Sequence, residues 1–339
     1  MFSTRLRVCL VALIGLALLI MLIFLLYLQD WLHREMVLVV VNDPPPLFEV
    51  ERGDSIGRAL SRYESRFGLR HRKLLTFYAR VTGLTRIKQG EYQFPSHLTP
   101  LGLLQLLNDG RVFQRPLTLV EGSTAVQALQ MLQAQTLLQH TLQSDETPAS
   151  IATRLGIENG QLEGWLFPDT YYYVKGSSDW DILQRAYRRM QEILTEEWQQ
   201  RAMGLPYETP YEALILASII EKETAVADER GQIAGVFVRR LQQGMRLQTD
   251  PTVIYGLGSA FDGNIRRKHL RQSTPYNTYV IRGLPPTPIA LPGREAIHAA
   301  LQPTPGDSLY FVARGDGTHV FSATLAEHER AVNQHQRNR

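Results

Sequence analysis

Two carboxylates close a segment that is otherwise apolar. Between Pro210 and Thr224, every residue from Ala213 to Ile220 except Ser218 is apolar, and Glu221, Lys222 and Glu223 follow at once. Proline suits a first helical position, and apolar residues on all faces predict a helix buried all round. Glu221 shares a helical face with Leu214, Ala217 and Ser218, whose last two members are small enough to leave room for a ligand beside it. Glu223 lies about 200° further round, on the face of Leu216, Ile219 and Ile220. Burial and the negative end of a helix dipole both raise a carboxyl pKa, and a raised pKa is what a general acid for glycosidic cleavage needs. On charge pattern alone the plainer reading is a solvated helix end, paired with Lys222, Arg230 or Arg239.

Other polar residues stand where they could line a site. Gln248, Thr249 and Asp250 precede Pro251, an arrangement expected to cap a helix with Asp250. Asn277 and Tyr279 stand in a third polar loop, Tyr276 to Tyr279, before Gly283-Leu284-Pro285-Pro286. Short polar side chains beside aromatics suit a sugar ligand, although each trio could equally be turn chemistry. A hydrolase that adds water would need a second carboxylate, and Glu223, Glu163 and Asp250 are the candidates. The sequence carries no H-E-x-x-H, G-x-S-x-G or phosphate-loop motif. His298 and His319 lack a second ligand at metal-binding spacing. No metal and no cofactor are therefore expected.

These residues need a scaffold, and the fold class expected is α+β. An amphipathic helix from Asp228 to Gln243 and a hairpin near Leu309 to Phe321 belong to the same domain as the acidic segment, residues 116–335. Ala125 to about Met190 is expected to be mainly helical, broken by the aromatic stretch Trp165 to Tyr173. A final amphipathic helix starts at Ala323. The preceding block, residues 48–115, opens as strand, Gly53-Asp54-Ser55 and helix, with Ile56, Ala59, Leu60 and Tyr63 at helical spacing. It continues with helices around Leu74 to Thr82 and Thr99 to Asn108. That order is similar to a LysM-type glycan-binding module, with a small α+β spacer as the alternative. Val37 to Val41 is a short β-branched run, and Pro44-Pro45-Pro46 reads as a stiff linker.

Ahead of these, residues 8–28 form an uncharged, almost wholly aliphatic run long enough to cross a ~30 Å hydrocarbon core. Arg5 and Arg7 precede it, within a short N-terminus of residues 1–7 expected on the cytoplasmic side; this sends the remaining chain outside. A cleaved signal peptide is the alternative, but its apolar core would be shorter and end in a small-x-small site. Of 339 residues, 36 are basic and 33 acidic, a formal net charge of +3, which gives no electrostatic case for nucleic acid. The single cysteine, Cys9, lies in the apolar run and excludes an intrachain disulfide.

Taken in order, these segments resemble the YceG-like family of murein transglycosylases. The resemblance rests on Ala217 to Thr224, Arg246 to Gly256, Tyr276 to Tyr279, Gly283 to Pro286, Leu162 to Tyr171, and Tyr310 to Ala313 with the turn Gly315-Asp316-Gly317 and the return strand His319 to Phe321. It departs at Thr287, where the family often has glycine. It implies Glu221 as the single catalytic acid/base and the β-1,4 bond between N-acetylmuramic acid and N-acetylglucosamine as substrate. It also implies 1,6-anhydromuramyl products; a lyase needing one acid leaves Glu223 a structural or electrostatic role, and Ser218, Glu223, Gln248, Thr249, Asp250, Asn277 and Tyr279 are the residues expected near the glycan. The expected setting is a single-pass inner-membrane protein, catalytic domain periplasmic, working on nascent glycan beside cell-wall synthases and ending strand elongation. A glycan-binding scaffold without activity is the reading from another class.

Overall fold

The computed structural model describes residues 4–36, 47–95, 97–143 and 145–337. The β-branched run and the proline linker expected at 37–46 lie outside them. The chain forms two compact units, residues 1–115 and 116–339.

The first unit begins with helix α1 (Thr4–His33). Within Arg7–His33 the most apolar 18-residue window has a mean hydropathy of 3.3, and the aliphatic side chains from Val8 to Leu26 stay about half exposed. A helical stretch whose aliphatic side chains stay out of the protein core is suited to lipid, while Leu32 at its end joins the core of the unit. The strands β1 (Phe48–Val50) and β2 (Gly90–Tyr92) pair antiparallel, Phe48 opposite Tyr92. Between them run α2 (Ile56–Phe67) and α3 (Arg72–Thr82), and α4 (Pro100–Asp109) follows. Ser55 caps α2 by accepting from the Arg58 amide, and Thr99 caps α4 by accepting from Gly102, each satisfying an orphan helical donor. Ile56, Ala59, Leu60 and Tyr63, read as one helical face, are all buried. Phe48, Tyr63 and Phe94 meet edge-on or tilted above Leu75, Leu103 and Leu107.

In the second unit, β3 (Arg115–Thr118) pairs with β4 (Thr170–Tyr173). α5 (Ala125–Gln133) and α6 (Pro148–Leu155) lie between them in sequence, and α7 (Asp179–Gln199) follows. The region expected to be mainly helical thus contains a strand within its aromatic stretch, where Tyr171 and Tyr173 turn inward and Tyr172 outward. Aromatic side chains favour a pleated, half-buried surface. Next come α8 (Pro210–Glu223), α9 (Ala227–Gln242), α10 (Asp250–Leu257), α11 (Arg267–Arg271) and α12 (Arg294–Leu301). The hairpin β5 (Tyr310–Ala313) and β6 (His319–Ser322) and the helix α13 (Leu325–Val332) complete the unit.

α8 is the axis of this core. Thr209 and Glu212 form a capping box around Pro210 at its start, fixing where the helix begins. Every residue from Ala213 to Ile220 is buried. Leu214, Leu216, Ile219 and Ile220 share one cluster with Ile193 of α7, Ile233 and Phe237 of α9, and Ile297 and Leu301 of α12. A helix enclosed by three others delivers its C-terminal carboxylates from a rigid base.

Candidate active site

Beyond Ile220 the two carboxylates diverge. Glu221 points to α12, where its Oε2 accepts from the backbone amide of Gly293 at 3.0 Å. Gly293 immediately precedes α12, so this carboxylate sits at a helix N-terminus, which favours anions. The approach is close: a Cβ at Gly293 would stand 2.0 Å from Oε1 of Glu121. Lys222 reaches across to the carbonyl of Gly122 at 3.0 Å.

Glu223 lines a cavity of about 570 Å³ with Gln248, Asp250, Tyr279, Tyr310 and His319. The hydroxyl of Thr249 donates to its Oε1. Burial pushes the Glu223 carboxyl up and the charge of Asp250 adds to this, while the Thr249 hydrogen bond and His319 oppose it. Burial also raises the Glu221 carboxyl, opposed mainly by the Gly293 amide. Proton affinity therefore does not separate the two acids, whereas their surroundings do.

The cavity walls are set by buried contacts. Gln248 has φ of 52°, a left-handed conformation uncommon for a side-chain-bearing residue and characteristic of sites where surroundings over-determine the backbone. Those surroundings are Thr278, whose carbonyl accepts from the Gln248 amide at 3.2 Å and whose hydroxyl accepts from the Thr249 amide at 3.0 Å. Thr252 joins Thr278 at 2.8 Å. Arg240 is buried and donates to the carbonyls of Leu247 at 2.8 Å and Leu309 at 2.6 Å, so one guanidinium ties the Gln248 loop to the hairpin. On β6, Nδ1 of His319 lies 2.7 Å from Oε2 of Glu229. The Tyr279 hydroxyl donates to Asp250 at 2.7 Å.

The expected site residues therefore separate. Glu223, Gln248, Asp250 and Tyr279 share the cavity, with Thr249 bonded to Glu223. Ser218 and Asn277 do not line it. Ser218 is buried, donates to the Ile215 carbonyl at 2.7 Å and accepts from the Ile289 amide at 3.0 Å. The room expected beside the small residues of that face is occupied by the chain leading to α12. Asn277 is 1% exposed and holds its loop through the carbonyls of His269 and Gln272, while its oxygen accepts from the Tyr279 amide. Asp250 is the first residue of α10 rather than its cap. That position belongs to Thr249, whose hydroxyl is diverted to Glu223.

Arg240, Tyr310 and His319 also line the cavity; Arg240 was not singled out from sequence, Tyr310 stood only within a family motif, and His319 was weighed only as a metal ligand. His298 is likewise engaged, its Nδ1 lying 2.8 Å from Glu197. Among the described residues no cluster of His, Cys, Asp and Glu suits a metal ion.

Glu163, a candidate second carboxylate, lies elsewhere. It accepts from the Ala125 amide at 2.9 Å and the Tyr255 hydroxyl at 3.1 Å. Burial pushes its pKa up from 4.5 to about 7. A carboxyl raised in the folded state stabilises fully below pH 4.5 and loses that contribution as pH rises through about 7. Glu163→Gln keeps an acceptor without the charge, so its stability relative to the parent is expected to rise across this window and reach a gain of about 3 kcal/mol above it. Thermal melts at several pH values check this, and a difference independent of pH would contradict it.

A buried carboxyl at the end of a core helix, its proton affinity raised by burial and facing a polar and aromatic cavity, suits acid–base chemistry on a hydroxyl-rich ligand. The chain belongs to the YceG-like family, whose model matches residues 48–334. It is 29% identical over 298 residues to the endolytic murein transglycosylase of Bacillus subtilis strain 168, spanning 83% of this chain and 82% of that protein. Against the protein of the same name from Streptococcus pneumoniae R6 the identity is 28% over 307 residues, covering 79% of this chain and 54% of that longer protein. A crystal structure of a YceG-like protein from Listeria monocytogenes superposes with a TM-score of 0.53 at 29% identity, covering 84% of this chain and 98% of that one.

Proposed function

We propose that the chain is a membrane-anchored endolytic transglycosylase that cuts peptidoglycan glycan strands, with Glu223 as its acid/base. The observation that carries this is the position of Glu223 in the cavity that also gathers Gln248, Asp250 and Tyr279. The relatives' shared name supports the reaction class.

One carboxyl suffices for this chemistry. Protonated Glu223 gives its proton to the bridging oxygen as the muramyl C1–O bond breaks, releasing the 4-hydroxyl of the next sugar. The carboxylate then takes the proton of the muramyl C6 hydroxyl as that oxygen bonds to C1, closing the 1,6-anhydro ring and restoring the acid. No water is added, and the intramolecular nucleophile has little entropy left to lose. Asp250, held by Tyr279 in the same cavity, supplies negative charge suited to the cationic character that develops at C1.

Glu221 as the acid is the second reading, favoured by its own raised proton affinity. Its carboxylate is engaged by Gly293, which fits a role in fastening α8 to α12. Thr249→Val removes the hydrogen bond that opposes protonation of Glu223. The alkaline loss of kcat/KM is therefore expected to move to higher pH, and an unmoved profile would assign the acid elsewhere.

The setting follows from α1. The apolar run at residues 8–28 of α1, preceded by Arg5 and Arg7, supports an inner-membrane anchor with the catalytic unit in the periplasm. The strand–helix–helix–strand order of residues 48–92 supports a LysM-like module that holds glycan. There the enzyme would release newly made strands beside the cell-wall synthases and so end their elongation. The test is size analysis of uncrosslinked glycan strands incubated with the full chain. Internal fragments are expected; intact strands that remain bound would favour the scaffold.

A further inference from the structure

We propose that the first unit rests on the membrane its own helix crosses, through the outer face of α3, and that the cleft beside it holds an anionic phosphate headgroup. This rests on reading α1 as membrane-spanning. Tyr27 and Trp31 stand one turn apart where the aliphatic run of α1 ends, the depth at which such rings mark the headgroup layer. Both meet His71. The Tyr27 hydroxyl lies 3.3 Å from Nε2 of His71, and the rings of Trp31 and His71 cross edge-on at 5.7 Å. His71 directly precedes α3 and takes φ of 57°, so a left-handed turn starts α3 at headgroup depth.

α3 is amphipathic in an unusual sense. Leu75 and Ala79 face the core, yet on the opposite side Phe77 is 65% and Val81 69% exposed. Lys73 and Arg80 flank this pair on the same face, and Arg70 lies just ahead. These three cations are exposed and make no ion pair among the described residues. The cleft between α1 and the α2–α3 turn, about 720 Å³, is lined by Tyr27, Trp31, Arg34, Arg70 and His71. The nearby acids are spoken for: Asp30 pairs with Arg34, Glu64 with Arg72, and Glu35 with His97. The surplus positive charge lies on Arg70, Lys73 and Arg80. Exposed apolar side chains between cations, beside the exit of a membrane helix, match an interfacial helix on anionic lipid.

The test uses the full chain with Cys9→Ala, in nanodiscs of phosphatidylcholine with or without phosphatidylglycerol. Nitroxides are placed at Phe77→Cys, Val81→Cys, Ser61→Cys as an exposed control and Ala17→Cys within α1. In anionic discs, collision of the 77 and 81 labels with a water-soluble nickel chelate is expected to fall several-fold below that of the Ser61 label. Arg70→Glu, Lys73→Glu and Arg80→Glu together are expected to restore it. Inorganic phosphate added to phosphatidylcholine discs is expected to change nothing, identifying the lipid-borne headgroup; exclusion of nickel by free phosphate alone would overturn the lipid assignment. Labels at 77 and 81 as accessible as Ser61, or shielded only when glycan is added, would overturn the docking while a deep Ala17 label leaves the anchor intact. An accessible Ala17 label would remove both.

Discussion

Glu223→Gln is expected to lower strand cleavage by about a thousandfold, the usual scale of a positioned general acid. Glu221→Gln is expected to keep most of the rate. Both changes are isosteric, and glutamine at 221 still accepts from Gly293. The two variants differ in what their carboxyls face: Glu223 the cavity shared with Asp250 and Tyr279, Glu221 the start of α12. Glycan binding by Glu223→Gln should survive, because Gln248, Tyr279 and the walls are untouched. Rates on defined strands, beside melting curves showing both variants folded, decide the matter. The opposite ranking would return the acid to Glu221.

Gly164→Ala is expected to produce the largest loss of stability. Gly164 has φ of +81°, and a Cβ there would lie 2.5 Å from Cγ and 2.6 Å from Cβ of Pro288. The left-handed backbone costs alanine about 1 kcal/mol, and overpacking against a ring that cannot swing aside adds about 2 kcal/mol. A Tm lower by roughly 10 °C follows for a unit of this size. Activity should fall with it, since the next residue, Ile289, bonds to Ser218 of α8. Gly160→Ala is the control: φ is +65° with nothing within 4 Å, so it should pay only the backbone term. Equal losses in the two variants would contradict the packing argument.

Much of the scaffold was legible in local signals. The buried helix was written in Ala213 to Ile220, its start in Pro210, and the faces of α2 and α9 in their periodicity. The polar loops at Gln248 to Asp250 and Tyr276 to Tyr279 were visible as clusters of short polar and aromatic residues. Which carboxylate faces the cavity was not legible. The two lie on different sides of one helix, and the choice depends on α12 packing against the Ala217–Ser218–Glu221 face. That contact comes from residues 71 and 72 positions away. Small side chains admit a neighbouring chain as readily as a ligand, and no spacing rule separates the two. Ser218 and Asn277 looked available because a short polar residue reads alike whether it meets a sugar or a backbone carbonyl. Arg240 was indistinguishable from any cation on an amphipathic helix. His319 carried a faint signal, a polar ring two residues before Phe321 on the return strand of a hairpin.

The most direct test of the single-carboxyl account is the mass of the product ends when the full chain cuts uncrosslinked glycan strands in heavy-oxygen water. The account predicts 1,6-anhydromuramyl ends that carry no solvent oxygen, formed by the parent and by Glu221→Gln and absent with Glu223→Gln. Reducing ends labelled with heavy oxygen would contradict it, making water the nucleophile and Asp250, in the same cavity, the second carboxylate to examine.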